Sequence, residues 1–384
     1  MNTLHLCTSD SWGGLELYAC TLMVELQRSG VVVRAICKPN SKVAEFLQAN
    51  SVACEFLPNY AKVNLKSVRR VKEIVRSNAI DVVHAHYHRD IWPASLAVRN
   101  LKNVRLFLSI YMGVPRKNDP LHKLIFRRVD AILSSSKALN RKLPELYPVP
   151  AGKIHYLPYG RIIDSYRRDA AKRTEIRAKY GIGEHETVVG TMVRIDPGKG
   201  VADFVESYNF LSHAMKRNVR YLIVGEPTRK GVKPKDGSPF EPKSEEYANR
   251  LQVEVRERRL EDKIIFTGYQ NDSIGYLSAM DLFVFPSRDE MYSLVVLDAM
   301  CLELPIVAAR SGGNLDQIAE GQTGLFYTTA NAEDLATKLS IILSDVQLRT
   351  KLAAAAREFV LREHDMKAVL HKLTDFYSGV GLSA

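Results

Sequence analysis

Residues 286–327 read PSRDEMYSLVVLDAMCLELPIVAARSGGNLDQIAEGQTGLFY, and this stretch decides the fold. Pro286 and Ser287 end a short apolar run, LVVLDAM begins a predicted helix, and PIVAA is a second short run rich in β-branched residues. Such runs are typical of strands that are buried on both faces of a parallel sheet. The stretch therefore predicts a strand–helix–strand unit of an α/β domain.

Two carboxylates lie in this stretch, Glu290 in a predicted loop and Asp298 eight positions later. The first backbone N–H groups of the helix, at Ser293, Leu294 and Val295, have no partner within a helix and can bind phosphate. Asp298 lies about one turn inside the helix, where a carboxylate can accept hydrogen bonds from a ribose diol. Glu290 is then expected to face a sugar.

The same alternation of strands and helices extends over the whole chain, once in each half. Short apolar runs predict strands at 3–8, 31–38, 81–87, 104–111, 131–136, 187–193, 221–226, 263–269, 282–287 and 305–309. Helical patterns are predicted at 15–26, 66–77, 201–213, 245–259, 274–279, 294–302, 314–320, 332–344 and 346–362. This pattern predicts two doubly wound parallel α/β domains joined near 162–178.

Bulk composition excludes several other classes of protein. A chain of 384 residues with 46% hydrophobic and 25% charged residues suits two globular domains. The sequence has no apolar run of about 18 residues and no signal-peptide pattern at its start, so a cytoplasmic location is expected. Five widely spaced cysteines without a C-x-x-C pair indicate neither a disulfide framework nor a zinc site.

The positive charge is concentrated in the front half. Residues 1–168 hold 26 Lys and Arg against 12 Asp and Glu, a net charge of +14, whereas the rest of the chain carries −3. The cluster comprises Arg116, Lys117, Lys123, Arg127 and Arg128. Such a surface is compatible with a phosphorylated or lipid-linked partner and peripheral contact with an anionic membrane, or simply with a solvated face. Nucleic acid is not expected, because no aromatic–basic interleaving of a known binding module is present.

A second cationic motif follows a predicted strand in GTMVRIDPGKG. Arg194 and Lys199 flank a turn made by Asp196, Pro197 and Gly198. Two cations held by such a turn can converge on a diphosphate and stabilise the charge of a leaving phosphate. An ordinary surface turn is the alternative.

The front half offers a glycine loop and a histidine run. Gly13 and Gly14 stand between the first strand and the first helix, where backbone N–H groups can approach an anion, or where the chain simply turns tightly. His84, His86 and His88 alternate, so on a strand they share one face. One ligand-contacting histidine is the preferred interpretation, with packing and a metal site as alternatives.

Taken together, these pieces resemble the GT-B retaining glycosyltransferases of family four, over essentially the whole length. The matching positions are Gly13-Gly14-x-Glu16, His86, Arg194 with Lys199-Gly200, Gly225, Gly268, Glu290-x7-Asp298, Gly312-Gly313 and Gly321-x-x-Gly324. The resemblance implies two Rossmann-like domains facing across a cleft. Residues 1–165 would bind the acceptor, 166–365 the nucleotide sugar, and the C-terminal helix in 366–384 would return to the front domain.

The resemblance implies roles for the matching residues, and the neighbouring residues complete the expected site. Catalytic roles are expected for His86, Arg194, Lys199 and Glu290. Nucleotide contacts are expected for Gly13, Gly14, Arg194, Lys199, Gly225, Tyr269, Ser293, Leu294, Val295 and Asp298. Donor-sugar contacts are expected for His86, Glu290, Met291 and Tyr292. Acceptor contacts are expected for Glu16, Arg89, Tyr111 and Arg116.

The implied reaction transfers a sugar from a UDP- or GDP-linked donor to a glycan, lipid-linked or phosphorylated acceptor, with retention at the anomeric carbon. The setting would be bacterial envelope polysaccharide or lipopolysaccharide synthesis. No D-x-D motif occurs, so a reaction without metal or other cofactor is expected. The alternatives are a nucleotide-sugar epimerase, a glycan phosphorylase, and a catalytically weak sugar-nucleotide-binding module.

Several positions depart from the family pattern. Asp298 replaces a usual Glu, Met291-Tyr292-Ser293 replaces a stretch richer in Gly and Phe, and Tyr111 stands where His is frequent. Tyr159-Gly160 replaces Asn-Gly, and Glu303 replaces Gly. These departures predict an unusual donor or acceptor. The Pro- and Gly-rich segment 226–244 is expected to be a mobile loop or a substrate flap.

Overall fold

The computed structural model describes residues 1–57, 64–113, 115–230, 238–288 and 290–382. The chain forms two compact units. Unit 1 comprises Met1–Gly160 with Met366–Ala384, and unit 2 comprises Arg161–Asp365. The boundary thus falls five residues before the predicted one, and the predicted division of labour between the domains stays a prediction.

Unit 1 is a seven-stranded parallel sheet with helices between successive strands. Its strands are β1 Asn2–Leu6, β2 Val32–Cys37, β3 Ala53–Phe56, β4 Val82–Ala85, β5 Arg105–Ile110, β6 Ala131–Ser134 and β7 Ile154–Tyr156. Its helices are α1 Gly14–Arg28, α2 Lys42–Ala49, α3 Leu65–Ser77, α4 Ile91–Val98, α5 Pro120–Phe126, α6 Lys137–Leu146 and, at the C-terminus, α16 Met366–Ser378. The strand order is β3-β2-β1-β4-β5-β6-β7.

Unit 2 repeats the plan with six strands. These are β8 Thr187–Met192, β9 Val219–Val224, β10 Ile264–Phe266, β11 Leu282–Phe285, β12 Ile306–Ala309 and β13 Leu325–Tyr327, in the order β10-β9-β8-β11-β12-β13. Its helices are α7 Ala170–Lys179, α8 Val201–Phe210, α9 His213–Asn218, α10 Pro242–Glu257, α11 Ser273–Ala279, α12 Leu294–Cys301, α13 Asn314–Gln317, α14 Ala332–Ser344 and α15 Val346–Glu363.

The predicted fold class is confirmed, because both sheets are parallel and doubly wound. The return of the C-terminal helix to the front domain is confirmed as well: α16 belongs to unit 1, and its Tyr377 hydroxyl contacts His84 of β4. All ten predicted strands are present, with ends that differ from the predicted ones by up to three residues. Residues 201–213, predicted as one helix, instead form α8 and the beginning of α9, separated at Leu211 and Ser212.

Three short strands, β3, β7 and β13, were not predicted. Each has three or four residues, and polar residues interrupt their apolar pattern in ACEF and IHY. Of the predicted loop 226–244, residues 231–237 lie outside the described residues. On either side of them, Arg229 pairs with Phe240 in an antiparallel bridge, and α10 begins at Pro242.

Each sheet reverses its strand order at one place, between β1 and β4 in unit 1 and between β8 and β11 in unit 2. In open α/β sheets, ligands bind outside the carboxyl ends of the strands at such a reversal. The loops that follow β1, β4, β8 and β11 are therefore the places where a functional site is expected. Among the described helices, none has both the length and the apolar composition needed to cross a membrane.

Candidate active site

The loops after β8 and β11 bring two predicted catalytic residues of unit 2 into direct contact. β8 and β11 are neighbours in the sheet, so the loops at their carboxyl ends lie side by side. The Lys199 ammonium donates to the Glu290 carboxylate, with 2.8 Å between Nζ and Oε2. Both side chains are largely shielded from solvent, so this ion pair is screened less than a surface pair.

Backbone packing holds these two loops together. The Arg288 N–H donates to the Gly198 carbonyl over 3.0 Å, and a Cβ on Gly200 would lie 2.0 Å from the Pro286 carbonyl oxygen. Gly200 also has a φ of +68°, which suits glycine. The Arg288 guanidinium contacts the buried Asp203 carboxylate of α8, which fixes the second loop to the first helix after β8.

The glycine pair after β12 lies against the Glu290 segment. The Gly313 N–H donates to the Glu290 carbonyl over 2.7 Å. A Cβ on Gly313 would lie 1.7 Å from the Met291 carbonyl oxygen, and one on Gly312 would lie 2.3 Å from that of Glu290. Only glycine permits this approach, so the Gly312-Gly313 pair sets the path of the backbone that carries Glu290.

Arg194 lies at the edge of the same site but does not join the ion pair. Its Nη1 donates to the Thr228 hydroxyl at 3.3 Å, and its Nε lies 3.8 Å from the Asp196 carboxylate. Its side chain is 61% exposed, so the guanidinium can move toward an anion. The convergence of Arg194 and Lys199 on a diphosphate stays a prediction.

Gly225 and Tyr269 follow the two strands on the other side of β8. Gly225 has a φ of +146°, and a Cβ there would lie 1.9 Å from the Val193 carbonyl oxygen, so the chain after β9 passes close to the chain after β8. Its N–H donates to the Gly268 carbonyl over 3.0 Å. Tyr269 is 55% exposed. Both residues lie at the carboxyl edge, as a nucleotide contact requires.

One expectation for the start of α12 needs correction. The Ser293 N–H is not free for phosphate, because it donates to the Gln317 side chain of α13 over 2.7 Å. The Gln317 amide returns a hydrogen bond to the Ser293 carbonyl, which fixes both helix ends. Leu294 and Val295 are half-buried, and their N–H groups stay the predicted phosphate contacts.

Asp298 is less open than expected. Its Oδ1 accepts from the Tyr166 hydroxyl at 2.7 Å and lies 2.6 Å from Nε of Arg161, whose Nη2 also donates to the Leu294 carbonyl. Burial and the Asp298 charge raise the pKa of Tyr166, so this phenol stays protonated and donates. A ribose would therefore meet a carboxylate with one oxygen already hydrogen bonded.

The two residues after Glu290 differ in exposure. Met291 is half-buried. Tyr292 is buried, and its hydroxyl lies 2.9 Å from Nε2 of His364, within unit 2. The Tyr292 hydroxyl is therefore already engaged, and the donor-sugar contact of Tyr292 stays a prediction.

In unit 1, the predicted glycine loop begins α1, and Glu16 stabilises this helix start. The Gly13 N–H and the Ser9 hydroxyl donate to the two Glu16 carboxylate oxygens, at 3.0 and 2.7 Å. Glu16 is buried, so the structure gives it a helix-capping role where the sequence predicts an acceptor contact. The other predicted acceptor residues are accessible: Arg89 and Arg116 are exposed, and Tyr111 is half-buried.

The histidine run does not lie on one face as expected. β4 ends at Ala85, so His88 falls in the following turn and is exposed, whereas His84 and His86 are buried. A third buried histidine, His5 of β1, pairs with His84 across the sheet and was not predicted. The three buried rings have nitrogens within 4.8 Å of one another. Asp90, also not predicted, is buried and accepts from the Thr8 N–H and hydroxyl.

Both halves of the chain match known glycosyltransferase families. Residues 12–164 match "Glycosyltransferase Family 4", and residues 172–359 match "Glycosyl transferases group 1". Similar proteins include a D-inositol 3-phosphate glycosyltransferase of Corynebacterium efficiens, 25% identical over 95% of this chain and 90% of that protein. An N-acetyl-alpha-D-glucosaminyl L-malate synthase of Bacillus anthracis is 23% identical over 84% and 80%.

An alpha-D-kanosaminyltransferase of Streptomyces kanamyceticus is 26% identical over 70% of this chain, and the match spans 66% of that protein's length, just under two thirds. Among solved structures, Anabaena HepE in complex with UDP has a TM-score of 0.84 at 18% identity and covers 99% of this chain and 100% of that one. A glycosyltransferase from Rickettsia africae has a TM-score of 0.85 at 19% identity and covers 98% of each chain.

These structural similarities concern the fold, which is the two-domain Rossmann-like GT-B architecture. The two family matches succeed one another along the chain and together leave only its ends and 165–171 unmatched. The chain belongs to the GT-B glycosyltransferases of family four.

Proposed function

We propose that this protein transfers a sugar from a UDP- or GDP-linked donor to a hydroxyl group of an anionic acceptor, with retention at the anomeric carbon. The observation that carries the proposal is the Lys199–Glu290 ion pair at the strand-order reversal of unit 2. A cation there can stabilise the phosphate that leaves the sugar. Glu290, next to it, can accept hydrogen bonds from sugar hydroxyls.

In the proposed reaction, the bond between the anomeric carbon and the phosphate oxygen breaks while the acceptor oxygen attacks from the same face. The acceptor proton passes to the departing phosphate. Lys199 and Arg194 compensate the charge that grows on this phosphate. Because Glu290 is engaged with Lys199 at 2.8 Å, it is better suited to hold the sugar than to attack it. No step assigned to these residues requires a metal ion.

The anionic acceptor is supported by charge and by the relatives. Residues 1–168 carry a net charge of +14, and unit 1 consists largely of these residues. Three of the relatives have names that specify a malate, an inositol 3-phosphate and a phosphatidylinositol mannoside. All three compounds are anionic. For this chain we propose a phosphorylated or lipid-linked glycan of the bacterial envelope, modified at the cytoplasmic face of the membrane.

A thermal-shift panel of UDP, GDP and ADP, each with its common sugars, tests the donor. A ligand at 100 times its Kd stabilises the folded state by about 2.7 kcal/mol. One base is expected to shift the melting temperature clearly more than the other two. The anomeric configuration of the product, measured by NMR, tests retention, and an inverted anomer would contradict the mechanism. Tight binding without any turnover would indicate a binding module, and a C2-epimerised donor would indicate an epimerase.

Peripheral contact with a membrane is part of the proposal, and α5 is the best-suited surface. Leu121 and Leu124 are 51% and 42% exposed, next to the exposed cations Lys123 of the same helix and Arg127, which follows it directly. Leucines flanked by cations are typical of helices that lie in a membrane interface. The protein is expected to co-sediment with vesicles that contain anionic phosphatidylglycerol. The double variant Leu121→Ser, Leu124→Ser is expected to weaken this binding. Equal binding to neutral phosphatidylcholine would count against the proposal.

A further inference from the structure

The three buried histidines of unit 1 form a hydrogen-bonded chain that begins at Tyr111. The Tyr111 hydroxyl lies 2.7 Å from Nδ1 of His86. Nε2 of His86 lies 2.9 Å from Nδ1 of His5, and Nε2 of His5 lies 3.2 Å from the Thr3 hydroxyl. Thr3 in turn donates to the Val32 carbonyl over 3.1 Å. The chain thus links the loop after β5 to β4, β1 and β2.

The direction of every proton in this chain follows from its last member. The Val32 carbonyl can only accept, so the single Thr3 hydroxyl proton is used there and the Thr3 oxygen accepts from His5. Burial lowers the pKa of His5 to about 3 and that of His86 well below its usual value, so both rings are neutral and carry one proton each. His5 is then protonated on Nε2, and its Nδ1 accepts from His86.

The same reasoning fixes the direction of the hydrogen bond between Tyr111 and His86. His86 uses its one proton, on Nε2, to donate to His5, so its Nδ1 can only accept. The Tyr111 hydroxyl must therefore donate inward to His86. Burial raises the pKa of Tyr111, which keeps the phenol protonated and able to donate. The Ser109 hydroxyl also hydrogen bonds to the Tyr111 oxygen, which leaves one lone pair on this oxygen for a further partner.

A shared metal ion is a poor interpretation of the histidine cluster. All six ring nitrogens of His5, His84 and His86 already have hydrogen-bond partners; those of His84 contact Tyr377 and Ser109. Two nitrogens bound to one tetrahedral zinc ion would lie about 3.3 Å apart, given bonds of about 2.0 Å. His5 and His86 approach to 2.9 Å, the distance of a hydrogen bond.

Tyr111 is the accessible end of this chain. The three histidines are at most 1% exposed, whereas Tyr111 is half-buried. Its ring is held by an edge contact with Tyr18 and a stacked contact with Tyr159, with centroids 5.7 and 5.8 Å away. A cavity of about 10 Å³, which fits one hydroxyl group or water molecule, lies between Tyr111 and the serines Ser109, Ser134 and Ser135, with leucine and tyrosine side chains completing its wall.

We propose that Tyr111 contacts a hydroxyl group of the substrate as a hydrogen-bond acceptor, and that His5 and His86 are positioning residues that hold its proton inward. This inference rests on the proposed function for the identity of the substrate. A sugar hydroxyl can donate to the Tyr111 oxygen, whereas a phosphate or carboxylate oxygen has no proton to offer. Tyr111 therefore selects a sugar or glycan hydroxyl and not the diphosphate of the donor. His86, predicted to face the sugar, acts through Tyr111.

Nitrogen-15 NMR of histidine-labelled protein tests the proton directions without any assay of activity. At pH 7, His5 and His86 are expected to be neutral and protonated on Nε2. The Nδ1 tautomer or a charged ring at either residue would overturn the proposal. Added Co²⁺ is expected to leave both signals unchanged, and a stoichiometric complex with these rings would contradict it equally. The result of this NMR experiment does not depend on whether the protein is a transferase.

A variant tests the substrate contact. With the donor that the thermal-shift panel identifies, for example UDP-glucose, and its deoxy analogues, removal of one particular hydroxyl is expected to lower kcat/KM about tenfold in the native protein. In Tyr111→Phe the same removal should cost less than about twofold, because its partner is gone. Tyr147→Phe, which changes a buried tyrosine elsewhere in unit 1, should retain the native pattern.

The substrate contact would be overturned if every deoxy analogue of donor and acceptor lowered kcat/KM equally in the native protein and in Tyr111→Phe. Complete absence of turnover in the native protein, with the predicted histidine tautomers present, would instead contradict the proposed function.

Discussion

Lys199→Ala is expected to lower kcat by about 100- to 1000-fold, the usual cost of removing one group that stabilises developing charge. The loss should exceed that of a simple phosphate contact, because Glu290 would be left without its partner at 2.8 Å. An unpaired carboxylate beside a diphosphate repels the donor and the leaving group alike. The measurement is steady-state turnover with the donor that stabilises the protein.

A second variant and a matched control separate charge from shape. Glu290→Gln keeps the shape of the side chain and a hydrogen bond to Lys199, so it should mainly raise KM for the donor through weaker sugar contacts. Lys338→Ala removes a lysine of α14 in the same unit, 3.9 Å from Asp334, and should leave turnover unchanged. If Lys199→Ala retained more than about a third of native kcat, charge stabilisation by Lys199 would be refuted.

The Lys199–Glu290 pair shows how far sequence reasoning reaches at this site. Both residues could be selected because each follows a predicted strand near glycines. Their contact could not be predicted, since they are 91 positions apart and the pairing of β8 with β11 is a matter of strand order. Alternation of strands and helices predicts a parallel sheet but not which strands are neighbours.

The histidine cluster could not be predicted from the sequence for the same reason. His5 stands in a run that was assigned to a strand, TLHLCT, with no local sign of function. It becomes part of a cluster only because β1 pairs with β4, which sets His5 opposite His84. The expectation that His88 shares a face with the other two requires a strand that continues to residue 88. The chain turns after Ala85, so alternation no longer applies there.

At α12 the missing information was side-chain pairing over long distances. The sequence predicts a helix start with free N–H groups, but Gln317 from α13 occupies that of Ser293. Arg161 and Tyr166, more than 130 positions before Asp298, occupy one of its oxygens. Asp298 is shorter than the Glu that is usual in the family, so its carboxylate would reach less far toward a ribose.

Unit 1 is expected to lose stability steeply below pH 6. Burial lowers the pKa of His5 to about 3, and those of His84 and His86 well below 6.5, whereas all three titrate near 6.5 when unfolded. Above pH 6.5 the three histidines are neutral in both the folded and the unfolded protein, so they do not change the free energy of unfolding. Below it, the unfolded chain binds three protons at the three buried histidines that the folded unit does not bind, and the lowered pKa of His155 adds a smaller contribution of the same sign. The free energy of unfolding should then fall by about 4 kcal/mol per pH unit until the folded pKa values are approached.

The two tryptophans make this loss measurable in one unit, because Trp12 and Trp92 both belong to unit 1. Urea unfolding followed by their fluorescence between pH 5 and 6 avoids most carboxylate titration, since ordinary Asp and Glu stay ionised there. His5→Gln should reduce the slope by about one third, or roughly 1.4 kcal/mol per pH unit. Tyr147→Phe changes a buried residue of the same unit whose pKa is raised by burial, so it does not titrate between pH 5 and 6 and should leave the slope as it is. A slope in the native protein below roughly 1.4 kcal/mol per pH unit, which corresponds to one proton, would mean that the histidines are charged in the folded protein. The hydrogen-bonded chain from Tyr111 to Val32 could then not have its assigned direction.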